Sequence, residues 1–215
     1  MKSIANISDS QLMKVRVPVM NSSTRYNALS VFCGSSIGNT EIYSALAYDL
    51  GQYLARNKVT LVFGGSNVGL MGILSDSVIK AGGEAVGVYP SNTFSMDVSH
   101  KGLSELHLVN SMHERKALMY ELSDGAVALP GGFGTLEELT ETLTWTQLGI
   151  HSLPAALLGP QIFWQSFINF LDVAHAQGFI GEKSRGLLKV ATDPQNIFKA
   201  LNESLEQINA SMRNR

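Results

Sequence analysis

Two side chains in this 215-residue sequence have the types and the setting to do chemistry together, Arg115 and Glu138. Arg115 leads the series Arg115, Leu118, Met119, Leu122, whose i, i+3, i+4, i+7 spacing makes one face of a helix. A guanidinium on an apolar face costs free energy unless it is paired or holds an anion. It reads either as a salt bridge that docks the helix or as an arginine at the edge of a ligand cleft. Glu114, three residues after Ser111, completes a capping box and needs no other account. Glu137 and Glu138 open the next helix, whose expected buried stripe is Leu136, Leu139 and Leu143, with both carboxylates off it. Either carboxylate could simply favour the helix N-terminus, a gain of ~0.3–1 kcal/mol. One turn from a phosphate cradle, a carboxylate has further uses. It could bind a ribose hydroxyl, stabilise positive charge at C1′ or orient a water. Those are the needs of N-glycosidic bond hydrolysis, whose transition state resembles an oxocarbenium ion as in the O-glycoside case.

The cradle is supplied by three glycine-rich turns: Cys33-Gly34-Ser35-Ser36, Gly64-Gly65-Ser66-Asn67-Val68-Gly69 and Pro130-Gly131-Gly132-Phe133-Gly134-Thr135. Each follows a short apolar run and precedes a helical one. Glycines let the backbone approach a ligand, and the unpaired N–H groups of the next helix then face an anion. Thr135 can add a hydroxyl. Any one of these turns could be only a tight connection; three on one sheet edge point to a nucleotide phosphate.

Other chemistries fit less well. No Gly-Lys-Ser/Thr follows a glycine turn, and the first turn lacks G-x-G-x-x-G spacing, which disfavours ATP hydrolysis and hydride transfer. His100, His107, His113, His151 and His175 have no metal-ligand spacing with one another or with Cys33. No G-x-S-x-G elbow is present. His107 sits in a strand pattern and reads as structural; His113, just after the N-cap, could line a base pocket. Trp145 and Trp164 read as packing residues.

The elements that must position these groups alternate regularly. Expected strands are Ala28–Cys33, Val59–Phe63, Glu84–Tyr89, Glu105–Val109, Ala126–Leu129 and Ala155–Leu158, with a weak one at Leu187–Val190. Between them run helices from Asn39 or Thr40 to about Asn57, Gly69 to Ala81, Ser111 to Ser123, the Pro130 turn to Leu148, Phe163 to Gln177 and Pro194 to Asn209. The strands are continuous apolar runs rather than alternating ones, as parallel strands covered on both faces require. The expectation is an α/β fold, a single doubly wound parallel sheet of Rossmann-like type with helices on both faces. Residues 27–215 form one catalytic domain, and residues 1–26 a loosely ordered extension.

Composition narrows the setting. Sixteen Lys+Arg against 18 Asp+Glu give a net charge of −2 and a pI near 6.2, which argues against a nucleic-acid coater. The single cysteine excludes a disulfide framework. No apolar run approaches the ~20 residues needed to cross a bilayer, and residues 1–26 lack a signal-peptide core. A cytoplasmic protein without a membrane partner is expected.

At this point the residues resemble a known family. Pro130-Gly-Gly-Phe-Gly-Thr-Leu-Glu-Glu138 matches P-G-G-x-G-T-x-x-E, and Met112-His-Glu-Arg-Lys116 matches its M-x-x-R-K partner. Together they resemble the LONELY GUY (LOG) family, the cytokinin riboside 5′-monophosphate phosphoribohydrolases. Similarity runs from about Leu29 to Leu158, through Gly64-Gly-Ser-Asn-Val-Gly-Leu-Met-Gly72 and Thr144-Trp-Thr-Gln-Leu-Gly-Ile-His151. The resemblance implies that Arg115 and Glu138 are the catalytic pair. It also implies that Lys116, Gly132, Phe133, Gly134, Thr135, Leu136 and Thr144 contact the nucleotide. Ser35, Gly65, Met112, His113, Gly131 and Glu137 complete the substrate-binding candidates.

The resemblance further implies cleavage of AMP-type nucleotides, N6-prenylated AMP among them, to free base and ribose 5-phosphate. It implies a homodimer and no metal or organic cofactor. An older label for such sequences, lysine decarboxylase, has no pyridoxal-phosphate signature here. Two departures stand out: Ser66 where the family often has glycine or alanine, and Asp97, a substrate-binding candidate, where it often has Glu. The alternative from another class is a non-catalytic nucleotide or molybdenum-cofactor carrier on the same fold.

Overall fold

In the computed structural model, residues 26–213 are described; the expected extension lies, apart from Tyr26, outside the described residues. Seven strands form one all-parallel sheet in the order β4-β3-β2-β1-β5-β6-β7. They are β1 (Ala28–Phe32), β2 (Thr60–Phe63), β3 (Ala85–Pro90), β4 (Glu105–Val109), β5 (Ala126–Ala128), β6 (Ala155–Leu158) and β7 (Leu188–Ala191). Helices α1 (Glu41–Arg56), α2 (Gly69–Lys80), α3 (Met112–Glu121), α4 (Phe133–Leu148), α5 (Gln161–Ala176), α6 (Glu182–Arg185) and α7 (Ile197–Met212) join them. The doubly wound expectation holds. The order reverses at β1, so the chain leaves β1 and β5 in opposite directions along the sheet, and a crevice opens between their carboxyl ends.

One face of the sheet packs α1, α2 and α7 through Leu46, Leu50, Leu54, Leu70, Leu74, Val78, Ile197 and Leu201 onto Leu29, Leu61, Phe63 and Leu129. Tyr26 joins this core. Its ring stacks on Phe198 and its hydroxyl donates to Asn202 Oδ1 at 2.9 Å. The other face is covered by α3, α4 and α5, through Met119, Tyr120, Trp145, Leu139 and Trp164.

Local signals place the site helices well. Ser111 caps α3 by accepting from Glu114 N–H at 3.1 Å, and the Glu114 carboxylate reaches back to Asn110 N–H at 2.9 Å. Gly149, in the left-handed region at φ 76°, ends α4 after Leu148. Thr40 precedes α1, but its side chain makes no cap hydrogen bond. The short helix α6 and a 3-10 turn at Met96–Val98 were not expected from the sequence; neither is long enough to show a hydrophobic period.

The aromatic residues Phe163, Trp164, Phe167 and Phe170 of α5 need burial, which a second copy of the chain or packing on the sheet could each supply. In the fold Trp164 is fully buried and its indole N–H donates to Leu158 O at 3.3 Å, while Phe163 and Phe167 pack against the same core. Only Phe170 faces outward, joined by Ile162, Val173 and Phe179. Apart from the polar line Gln161, Gln165, Asn169 and Asp172 the helix is largely apolar, so composition alone could not say which of its apolar residues the sheet takes.

Candidate active site

The three glycine turns meet at the carboxyl ends of β1, β2 and β5. Gly34 N–H donates to Pro130 O at 3.1 Å, and Leu70 N–H donates to Gly34 O at 3.0 Å, so the first turn is stitched to both others. Gly132, Phe133 and Gly134 are exposed at the start of α4, where the first helical N–H groups lack intrahelical acceptors. This leaves an anion-binding face on the turn after β5. Thr135 is buried beneath it. Its hydroxyl lies so close to Gly131 that a Cβ there would sit 2.0 Å from Oγ1.

Arg115 and Glu138 come together at this edge. Arg115 Nη1 lies 3.0 Å from Glu138 Oε1, with both side chains almost fully buried. The guanidinium rests on the second glycine turn, where a Cβ on Gly64 would fall 2.1 Å from Nη2. Gly64 is thus a seat for the arginine, a role the sequence reading missed; the glycine pair after β2 was the available signal. Met112 Sδ lies 3.9 Å from Arg115 Nη1, and Arg115 Nε is buried with no partner among the described residues. Arg115 thus docks α3 on α4 through its ion pair, and it does so beside the second glycine turn.

The position of Glu138 corrects the sequence expectation. It was placed off the buried stripe, yet it is 6% exposed. The buried face of α4 runs Thr135, Glu138, Leu139, Thr142, Thr146, so most of its members are polar. Leu136 and Leu143 are only half-buried. Thr142 Oγ1 bonds back to Glu138 O at 2.8 Å and Thr146 Oγ1 donates to Leu153 O at 3.1 Å, which is how hydroxyls tolerate the burial. Burial pushes the Glu138 carboxyl above its ordinary pKa; Arg115 opposes that shift, and Glu137 adds to it. Cys33, at the end of β1, is buried beside the pair, and burial together with the Glu138 charge keeps its thiol protonated.

Lys116 is not turned to the glycine edge. Its side chain is 4% exposed and its ammonium is held by Glu137 and by Glu141, the latter at 2.6 Å. Burial works against its charge, but the two carboxylates outweigh that and hold its pKa above the usual lysine value. Tyr120 Oη lies 3.2 Å from Glu141 Oε1 and 3.3 Å from Glu138 O. Glu141 and Tyr120 were not singled out from the sequence, although Glu141 stands one helical turn beyond Glu137 and Glu138 on α4.

The remaining candidates divide. Ser35 and Gly65 lie in the stitched turns. Asp97 sits in the loop after β3, which a bridge between Ser66 and Ser99 ties to the second glycine turn. Ser66 Oγ donates to Val98 O at 3.0 Å, so the serine that departs from the family pattern fastens the loop carrying Asp97. Asp97 itself accepts from Ser95 Oγ at 2.9 Å. Phe133 is 94% exposed on the rim and His113 is exposed in the first turn of α3. Thr144 stands apart. It is exposed, bonds back to Thr140 O at 2.7 Å, and lies six residues beyond Glu138, roughly 9 Å along the helix.

Comparison with known proteins places the chain among relatives of known family and fold. Residues 71–201 match the family model described as "Possible lysine decarboxylase". The chain is 42% identical over 175 residues to the cytokinin riboside 5′-monophosphate phosphoribohydrolase of Rhodococcoides fascians, covering 81% of this chain and 88% of that one. It is 39% identical over 184 residues to the Arabidopsis thaliana protein LOG1 of the same name, covering 86% of each. Among solved structures, the molybdenum cofactor binding protein of Rippkaea orientalis superposes with a TM-score of 0.63 at 24% identity, over 84% of this chain and 98% of that one. The molybdenum cofactor carrier protein of Chlamydomonas reinhardtii gives 0.61 at 23%, over 83% and 98%. These structural likenesses speak for the fold alone. Sequence identity near two in five across most of the chain, together with the paired motifs meeting at one crevice, makes this chain a member of the LONELY GUY family.

Proposed function

We propose that this protein hydrolyses the N-glycosidic bond of nucleoside 5′-monophosphates, AMP and N6-prenylated AMP, giving free base and ribose 5-phosphate. The observation that carries the reading is the buried Arg115–Glu138 pair, 3.0 Å apart, at the edge of three interlocked glycine turns. The turns take the 5′-phosphate on backbone N–H groups, with the α4 N-terminus supplying positive potential. The sugar then lies toward Glu138. As the bond from C1′ to the base nitrogen breaks, the electron pair leaves with the base and positive charge grows at C1′. The Glu138 carboxylate stabilises that charge and orients the attacking water. The water oxygen bonds to C1′, one water proton is released, and the base takes up a proton. Arg115 fixes the Glu138 carboxylate and offers a donor toward the leaving base. The cluster of buried Arg115, Lys116 and Glu138 with the partly buried Glu141 and the exposed Glu137 carries three carboxylates to two cations, a bias that suits a cationic transition state.

The reading includes a cytoplasmic homodimer. Its support is the free thiol of Cys33 and the outward apolar set Ile162, Phe170, Val173 and Phe179 on and after α5. Incubation with AMP, N6-prenylated AMP and adenosine, followed by chromatography of the free base, tests the activity. Base and ribose 5-phosphate from the monophosphates, with adenosine left intact, is the expected result. Equal turnover of adenosine, or release of inorganic phosphate, contradicts it. Light scattering at micromolar concentration should give twice the chain mass; a monomer removes the dimer.

A further inference from the structure

We propose that Lys116, Glu141 and Tyr120 are positioning residues that clamp α3 to α4 and so aim the Glu138 carboxylate, and that Lys116 does not itself hold the nucleotide. The inference rests on the phosphoribohydrolase reading with Arg115 and Glu138 as the reacting pair.

Adjacent residues on a helix point about 100° apart and do not share a face. Arg115 uses one direction, over Gly64 and onto Glu138. Lys116 uses the next, into the space between α3 and α4. There Glu137 and Glu141, one turn apart, present two carboxylates on a single stripe, and the ammonium binds both. Tyr120, one turn after Lys116, lies in the same seam. Its hydroxyl meets Glu141 Oε1 at 3.2 Å and Glu138 O at 3.3 Å. Its ring packs edge-on against Phe32 and Trp145. The seam is therefore Lys116 and Tyr120 on α3 against Glu137 and Glu141 on α4, with Arg115 and Glu138 on the neighbouring line.

A phosphate contact would require the 4%-exposed Lys116 to leave two carboxylates, one of them on the half-closed Glu141. Removing the buried ammonium would leave the partly buried Glu141 carboxylate without its cation, an unfavourable step. Holding the pair instead fixes the rotation of α4 about its axis, and that rotation sets where the Glu138 oxygens point. The charged groups facing Glu138 are Arg115 and Lys116 from α3 and Glu137 and Glu141 from its own helix, with Cys33, just after β1, beside it. Lys116 favours the ionised form of Glu138, and Glu141 opposes it.

The test is steady-state kinetics of Lys116→Met, Glu141→Gln, Tyr120→Phe and the Lys116→Met/Glu141→Gln double variant, with N6-prenylated AMP as substrate and pH varied. All three single variants should lower kcat and leave KM within about twofold, Lys116→Met most, on the order of 10²-fold for a misplaced carboxylate. The double variant should be little worse than Lys116→Met alone, because the Lys116–Glu141 contact is already lost in the single variant. The acid limb of the rate profile should move to higher pH in Lys116→Met and to lower pH in Glu141→Gln. A merely structural role moves neither limb. A KM raised about tenfold or more in Lys116→Met with kcat intact overturns the proposal in favour of a phosphate contact. Should Lys116→Met fail to fold, Tyr120→Phe and Glu141→Gln decide: wild-type kcat and pH profile in both overturns the clamp. Glu138→Gln separates the two levels. If it is inactive while the three variants keep wild-type kcat, only the clamp falls; if it is fully active, the site reading falls and the clamp with it.

Discussion

The two faces of the sheet are built on different terms. Beneath α1, α2 and α7 the buried residues are almost all Leu, Val, Ile, Ala and Phe, and the polar exceptions, Ser75, Ser77 and Ser204, bond to backbone. Beneath α3 and α4 the chain buries an arginine, a lysine, a glutamate and three threonines. Charge burial of that kind is weak evidence for stability, since desolvation offsets most of the Coulomb gain. The contrast teaches a division of labour: one face is apolar almost throughout, while the other sets charges at fixed geometry among its own apolar contacts.

That division can be broken from either side. Leu54→Ala, at a fully buried position on α1, should cost about 2–5 kcal/mol of stability in denaturant unfolding, with kcat per folded molecule unchanged. A lost kcat at full foldedness would mean that the faces are coupled.

On the charged side, His151 is half-buried against Tyr120 and Trp145, and desolvation there lowers its pKa to about 4 from the usual 6.5. The unfolded chain therefore binds the proton first as pH falls, so stability is full above about 6.5 and is lost toward 4, by at most about 3 kcal/mol. His151→Asn should flatten that slope in pH-dependent melting; an unchanged slope would assign the acid lability elsewhere.

Gly64→Ala should push the Arg115 guanidinium off its seat. The expected reading is kcat down on the order of 10²-fold, about 2.7 kcal/mol, with an unaltered fold by circular dichroism. Full activity would show that the arginine can sit elsewhere. The smallest effect belongs to Glu203→Gln, which removes an exposed pair with Lys199 on α7, 4.0 Å apart. Melting temperature and turnover should stay near wild type, as for most surface pairs; a large loss would give the helix face a function.

How far the sequence could be read follows the same contrast. The apolar face was legible because parallel strands and leucine-rich helices carry their period openly, from Leu29 through Leu158. The three glycine turns and the Arg115–Glu138 partnership were legible because glycine and paired motifs are local signals. The burial of Glu138 was not. Periodicity ranks leucine above threonine, and α4 turns its Thr135, Glu138, Thr142, Thr146 side to the protein. The partners of Lys116 were hidden for a related reason: a carboxylate at Glu141 belongs to the site only once α3 and α4 are side by side. On α5 the apolar residues spread well beyond one stripe, so the sequence did not separate the buried Trp164 from the exposed Phe170.

The central claim is that the charge of Glu138, held by Arg115, drives the chemical step. Glu138→Gln keeps the size of the side chain and an oxygen for the guanidinium while removing the charge. Single-turnover and steady-state rates with N6-prenylated AMP should show kcat down on the order of 10²–10³-fold with little change in substrate affinity. Retention of full kcat, or a loss confined to KM, would contradict the account.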